Sequence, residues 1–170
     1  GDKAFSSGAD IKEMKSFSQP EVLRFFELGS QVANVLQNAP FLTIAAVNGY
    51  ALGGGFEMAL ACDFIYASEN ALFGLPEVKL GLIPSFGGTQ RLTASIGPRL
   101  AKEWIMTGKQ ITAKEAFDLH LVNKISSSKD LLKESCEIAA EIVTGHFQAC
   151  LQAKKAINMA CHLKQEGLEV

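Results

Sequence analysis

The stretch from residue 41 to residue 61 constrains the fold more than any other part of the chain. Residues 41–47 read FLTIAAV, an almost uninterrupted apolar run rich in β-branched side chains, which predicts a strand buried on both faces. Three glycines at positions 53–55 then lead into an apolar helix at residues 56–61. A strand joined to a helix by a glycine-rich turn is typical of an α/β fold.

Apolar periodicity divides the rest of the chain into an α/β half and a helical half. An amphipathic helix is predicted from Ser18, with Pro20 in its first turn, to near Asn38. Further strands are predicted at residues 4–7, 64–67, 71–73 and 122–125, and helices at residues 88–96, 98–107, 112–118, 129–143 and 147–163. We predict one domain, with residues 1–92 in an α/β core and residues 93–170 in its helical C-terminal region.

Composition excludes several classes of function. With 170 residues, 48% of them hydrophobic, the chain is long enough to bury one globular core. A net charge of −2 gives no broad electrostatic field, so nucleic acid is not an expected partner, whereas a small basic pocket could still bind one phosphorylated ligand. The longest apolar run is far shorter than the roughly 18 residues of a membrane span. The histidines and four cysteines follow no metal-ligand spacing, although Cys161 and His162 are adjacent, and we expect free thiols and no metal.

The glycines at 53–55 are the first candidate for chemistry. They expose backbone N–H groups just before a helix, where the dipole favours negative charge, so the turn could bind an anion or stabilise an oxyanion. A turn of this kind is also common as a plain connection between elements. It is neither a Walker loop nor a G-x-G-x-x-G motif, because Met58 occupies the third glycine position.

Two glutamates are candidates for proton transfer. Glu57 lies in the first turn of the apolar helix, and Glu77 lies in a Gly- and Pro-rich loop after a strand. Taken singly, Glu57 could simply satisfy a helix dipole and Glu77 could be a solvated loop acid. Together they could divide acid and base work, since neighbouring carboxylates acquire different pKa values. The turn at residues 8–10 would supply a second backbone donor, and two converging donors make an oxyanion hole.

Four segments in this order resemble the crotonase family, and enoyl-CoA hydratases in particular. They are residues 4–14 (AFSSGADIKEM), 45–57 (AAVNGYALGGGFE), 73–77 (FGLPE) and 81–92 (GLIPSFGGTQRL). The resemblance implies a spiral of ββα units followed by a helical C-terminal trimerisation region. It also implies a homotrimer or a dimer of trimers, with the helices of residues 91–119 forming the trimer.

The same resemblance assigns residue roles. The backbone N–H groups of Ala9 and Gly54 would form the oxyanion hole, and Glu57 and Glu77 would be the catalytic pair. The implied substrate-binding positions are Ala9, Asp10, Ile11, Lys12 and Gly54. Lys12 would help neutralise a phosphate of coenzyme A, which belongs to the substrate, so no separate cofactor or metal is expected. Candidates for the lining of the acyl pocket are Leu75, Phe86 and Trp104.

The sequence also departs from the family pattern. It opens without an initiator Met or a targeting segment, and we expect it to lack the family's N-terminal strands and last C-terminal helix. Ser85 stands where many hydratases have Gly. The family resemblance places such a protein in the cytoplasm if bacterial and in the mitochondrial matrix if eukaryotic.

The activity implied is hydration of a trans-2-enoyl-CoA to a 3-hydroxyacyl-CoA in fatty acid β-oxidation. One alternative is a 3,2-enoyl-CoA isomerase of the same family, which needs a single carboxylate. Others are a non-catalytic acyl-CoA-binding relative and a structural module without a ligand.

Overall fold

Two β-sheets organise the computed structural model, which describes residues 1–160. The strands are β1 (Ala4–Ser6), β2 (Ile44–Val47), β3 (Tyr50–Leu52), β4 (Phe64–Ser68), β5 (Leu72–Gly74), β6 (Ile111–Thr112) and β7 (Lys124–Ser126). One sheet has the order β1-β3-β5-β6 and the other β2-β4-β7. All pairs are parallel except β5 with β6.

Helices and connecting loops make up the remainder of the described chain. They are α1 (Ile11–Met14), α2 (Gln19–Gln37), α3 (Gly54–Ala61), α4 (Gly88–Ile96), α5 (Pro98–Thr107), α6 (Ala113–Asp118), α7 (Leu131–Thr144) and α8 (Phe147–Ala160), with a 3₁₀ helix at Glu77–Leu80. The predicted bounds of α4 and α5 are confirmed. The predicted end of the last helix, residues 161–163, and the adjacent Cys161 and His162 lie outside the described residues.

The chain advances as a spiral of ββα units. Strands β2 and β3 follow each other closely but belong to different sheets, and α3 completes the unit. The next unit repeats this arrangement with β4, β5 and α4. Strand β4 pairs with β2 and strand β5 pairs with β3. This confirms the expected spiral, because each sheet gains one parallel strand per unit.

The strand predicted at residues 41–47 is shorter than expected. Only Ile44–Val47 pairs with β4, since the Thr43 amide and hydroxyl both donate to the Asp63 carboxylate (2.8 and 3.0 Å). Ala45 and Val47 are buried, whereas the alternate residues are only partly buried, so burial on both faces was wrong.

Several short elements were missed by the sequence prediction. Strand β3 occupies part of the predicted turn after Gly49, and α1 forms where Asp10 Oδ1 accepts from the Lys12 amide (2.8 Å). Strand β6 was also missed, whereas the strand predicted at residues 122–125 is present as β7, at Lys124–Ser126. Residues 93–160 thus contain β6 in addition to the expected strand, and α4 crosses the boundary suggested at residue 92.

The hydrophobic core fixes α3 against the sheets. Phe56 of α3 and Phe73 of β5 are fully buried, with ring centroids 5.2 Å apart. Leu92 of α4 and Trp104 of α5 belong to the same buried cluster. The burial expected for the apolar helix is confirmed. Because Phe56 anchors this helix, the position of the neighbouring Glu57 is fixed as well.

Candidate active site

A cavity of about 350 Å³ lies between α1, α2, the start of α3 and the segment after β5. Its lining includes five of the predicted catalytic, oxyanion-hole and substrate-binding residues, namely Ala9, Ile11, Gly54, Glu57 and Glu77. The two glutamates are 20 positions apart in sequence. The fold brings them together because α3 and the 3₁₀ helix follow β3 and β5, which are neighbours in one sheet.

Glu57 is a buried carboxylate held by backbone amides. Its side chain is 1% exposed, and its Oε1 accepts from the Phe86 amide at 2.8 Å and from the Gly88 amide at 2.7 Å. Gly88 is the first residue of α4, so its N–H has no acceptor within the helix and the helix dipole favours a negative charge there. These bonds fix the orientation of the carboxylate.

Burial dominates the acidity of Glu57 and raises its pKa from 4.5 to about 7. The nearby Glu77 carboxylate also raises this pKa, whereas the amides of Gly88 and Phe86 and the charge of Arg91 oppose the shift. A carboxyl with a pKa near neutrality exchanges protons readily at physiological pH, which suits acid/base catalysis.

Glu77 has a different environment on the same cavity. Its Oε2 is buried and accepts no hydrogen bond from any described residue. Burial raises the pKa of Glu77, and a hydrogen bond from its own backbone opposes this. Loss of hydration without a compensating partner favours the protonated form. Glu77 is therefore suited to donate a proton into the cavity.

The two backbone donors predicted for an oxyanion hole lie on segments in close contact. Gly8, with φ +81°, packs against the start of α3, and a Cβ at that position would come within 2.9 Å of the Gly54 nitrogen. Ala9 follows directly and lines the cavity with Gly54. As the first residue of α3, Gly54 has an N–H without an intrahelical acceptor.

Apolar side chains form the other walls of the cavity. Phe25 of α2 and Phe86 pack with ring centroids 5.8 Å apart, and Met14 and Val22 add to the same lining. The expectation that Phe86 lines the pocket is confirmed. The expectation for Leu75 and Trp104 was wrong, because both are buried in the hydrophobic core.

The remaining predicted positions lie beside the cavity. Asp10 caps α1, and neither Asp10 nor Lys12 is part of the lining, whereas Lys15, one turn further along, is. Ser85 lines the cavity. Among residues 1–160, no group of three or more His, Cys, Asp or Glu side chains could hold a metal ion. No helix in the same range is long and apolar enough to cross a membrane.

The sequence analysis did not identify the amides that hold Glu57. Their signal is the glycine pair 87–88, where Gly87 has φ +94° and α4 begins immediately afterwards. A glycine pair at the start of a helix marks a site of close backbone approach, but only the fold shows which side chain approaches it.

Comparison with known proteins agrees with this arrangement. The family model described as enoyl-CoA hydratase/isomerase matches residues 1–168. The chain belongs to the enoyl-CoA hydratase/isomerase family. A crotonyl-CoA hydratase of Syntrophomonas wolfei is 46% identical over 158 residues, which are 93% of this chain and 61% of that protein. A mitochondrial enoyl-CoA hydratase of Pongo abelii is 42% identical, over 94% of this chain and 54% of its own length.

Solved structures of the enoyl-CoA hydratase/isomerase family share the fold. An enoyl-CoA hydratase from Bacillus anthracis superimposes with a TM-score of 0.90 at 42% identity, covering 93% of this chain and 61% of that one. The expected crotonase-like fold is thereby confirmed. The chain spans about three-fifths of the length of these relatives.

Proposed function

We propose that this chain carries the catalytic centre of an enoyl-CoA hydratase, which adds water to a trans-2-enoyl-CoA in fatty acid β-oxidation. The observation that carries the proposal is the pair of glutamates on one cavity, Glu57 buried and Glu77 partly buried, each with a raised pKa but with different hydrogen-bonding environments. Relatives of similar sequence are named crotonyl-CoA and short-chain enoyl-CoA hydratases.

The lining of the cavity supports a proposed mode of substrate binding. The thioester carbonyl would accept hydrogen bonds from the Ala9 and Gly54 amides, whose segments are in contact. The acyl group would extend along the apolar wall that contains Phe25 and Phe86. Asp10, Ile11 and Lys12 would contact the coenzyme A portion near the cavity mouth.

The reaction adds the elements of one water molecule. Thioester conjugation makes C3 electrophilic, and Glu57 removes a proton from water as its oxygen bonds to C3. The carbon–carbon π electrons move toward the thioester, and negative charge develops on the oxygen held by the two amides. Glu77 delivers a proton to C2, which completes the 3-hydroxyacyl-CoA. The carboxyls then return to their starting states by exchanging one proton.

The environments of the carboxyls support this division of roles. Glu57 receives two amide hydrogen bonds that favour its charged form and partly oppose burial, which still raises its pKa to about 7, so Glu57 can act as a base once the pH reaches that value. Glu77 has a buried oxygen without a hydrogen-bond donor from the described residues, which favours its neutral form, as an acid requires.

The wider properties of the protein belong to the same proposal. We expect a homotrimer or a dimer of trimers assembled through the helices of residues 91–119, and no cofactor beyond the coenzyme A of the substrate. We expect it to act in the cytoplasm of a bacterium or in the mitochondrial matrix of a eukaryote; two eukaryotic relatives are named mitochondrial.

The test follows crotonyl-CoA in ¹⁸O-labelled water, with loss of the conjugated-enoyl absorbance and the product mass as readouts. The wild-type chain should form labelled 3-hydroxybutyryl-CoA. Glu57→Gln and Glu77→Gln should each lower kcat by about 10²–10⁴-fold. Glu69→Gln, at an exposed glutamate, should leave it unchanged.

Near-normal turnover in either cavity variant would refute the paired-carboxylate mechanism. Movement of a double bond in a 3-enoyl-CoA, without ¹⁸O incorporation, would identify an isomerase instead. Acyl-CoA binding without turnover of either substrate would identify a binding protein.

A further inference from the structure

Arg91 is a buried cation placed one turn into α4, behind the Glu57 carboxylate. Its side chain is 4% exposed and donates three hydrogen bonds. Nε donates to Gln37 Oε1 at 2.8 Å, Nη2 to Asn34 Oδ1 at 2.9 Å and Nη1 to the Phe86 carbonyl at 2.7 Å. All three acceptors are neutral. Burying a guanidinium with only neutral acceptors costs free energy, which indicates that its positive charge serves a purpose other than these three hydrogen bonds.

The Phe86 backbone links Arg91 to Glu57. The carbonyl of Phe86 accepts from Arg91, while the amide of the same residue donates to Glu57 Oε1. The second amide on that oxygen belongs to Gly88, in the first turn of the helix that carries Arg91. A Cβ at position 87 would lie 2.2 Å from the Arg91 Nη1 nitrogen, so the guanidinium packs directly against this backbone.

The other two acceptors anchor the same guanidinium to α2. Asn34 and Gln37 lie near the end of this helix, whose earlier turns supply Val22 and Phe25 to the apolar wall of the cavity. A planar guanidinium can hold several acceptors in fixed directions at once, which a lysine ammonium cannot do. Arg91 thus joins the acyl wall to the loop that orients Glu57.

We propose that Arg91 is a positioning residue that holds the Phe86 and Gly88 amides on Glu57 and keeps this carboxylate charged and oriented for proton transfer. The expected effect on kcat rests on the proposed function, whereas the expected effect on the Glu57 carboxylate does not. The charged groups of the described residues that act on Glu57 are Glu77, from the 3₁₀ helix, and Arg91, from α4. Removing Arg91 leaves only the negative charge of Glu77 acting on Glu57.

The test compares Arg91→Met, which removes the charge and the donors, with Arg91→Lys, which keeps only the charge. Arg99→Met, at an exposed arginine on α5, is the matched control. Crotonyl-CoA hydration is measured across pH. Arg91→Met should lower kcat by about 10²-fold, as for a misplaced catalytic group, with KM within about threefold of wild type. The acid limb of its pH profile should move upward by about 1 pH unit.

The lysine variant separates charge from geometry. Arg91→Lys should keep the acid limb near its wild-type position while recovering little of the lost kcat, because the charge remains but the fork of donors does not. A kcat within threefold of wild type in Arg91→Met, or an unmoved acid limb, would overturn the proposal.

A readout independent of turnover keeps the inference distinct from the proposed function. The Glu57 carboxyl is titrated by NMR in chain labelled with ¹³C-glutamate and assigned with Glu57→Gln. Its midpoint should rise in Arg91→Met even if the wild type does not hydrate crotonyl-CoA, and an unchanged midpoint would overturn the proposal. If Arg91→Met does not fold, Asn34→Ala removes one acceptor of the guanidinium and should also lower kcat. An unchanged kcat in Asn34→Ala would overturn the proposal as well.

Discussion

The buried carboxyl of Glu57 makes the stability of this chain depend on pH, and replacing it with Gln should remove that dependence. Gln keeps a carbonyl oxygen that can accept from the Phe86 and Gly88 amides, but it carries no charge. The variant therefore isolates the ionisation of one group from the packing around it. It also retains Glu77, so the other ionisable groups are matched.

The magnitude follows from the pKa of this carboxyl. Burial raises the Glu57 pKa from 4.5 to about 7, and a difference of this size corresponds to about 3 kcal/mol of folding free energy. Below pH 4.5 both the folded and unfolded chains are protonated at this position, and the contribution is fully present. As the pH rises through about 7, the folded state must also ionise, and the contribution is lost.

Urea unfolding at intervals from pH 5 to pH 8 measures the effect. The free energy of unfolding of wild type, relative to Glu57→Gln, should fall by about 2–3 kcal/mol across that range. Glu69→Gln should follow wild type, since this glutamate is exposed. Parallel curves for wild type and Glu57→Gln would refute the conclusion that Glu57 titrates near neutrality in the folded chain.

Two further substitutions test the scaffold around the site. Gly8→Ala would place a Cβ 2.9 Å from the first amide nitrogen of α3 and should lower the rate of hydration by about 10²-fold. Gly97→Ala has a similar φ of +80°, but its Cβ would meet no atom within 4 Å beyond its chain neighbours, so it should leave this rate unchanged. Lys154→Met should lower the free energy of unfolding by about 3 kcal/mol, because it leaves the partly buried Asp63 carboxylate without its cation at 2.8 Å. The exposed Lys155→Met is the control, and equal urea midpoints for Lys154→Met and wild type would contradict this.

Much of the fold was predictable wherever the determining signals are local. The bounds of α4 and α5 follow from Gly97 and Pro98, which end one helix and begin the next. The burial of α3 follows from a run of apolar residues with a single acid. Strand β3 was missed because three residues carry too little periodicity, and it exists only through pairing with β1 and β5 on either side.

The candidate site likewise has a part that the sequence predicts and a part that only the tertiary structure shows. Sequence motifs and the family resemblance predicted Glu57, Glu77, Ala9 and Gly54 as candidates. Only the tertiary structure decided which amides hold Glu57 and that a buried arginine lies behind them. It also placed Leu75 in the core rather than the pocket.

The physical reason is the range of the interactions. The local sequence alone determines turns, helix ends and which segments are apolar, because these depend on neighbours within about one helical turn. The acidity of Glu57 depends on groups 20 to 34 positions away and on the loss of water around it. The burial of Glu57 and its nearby charges exist only in the folded chain, and they raise its pKa enough to make it a candidate base.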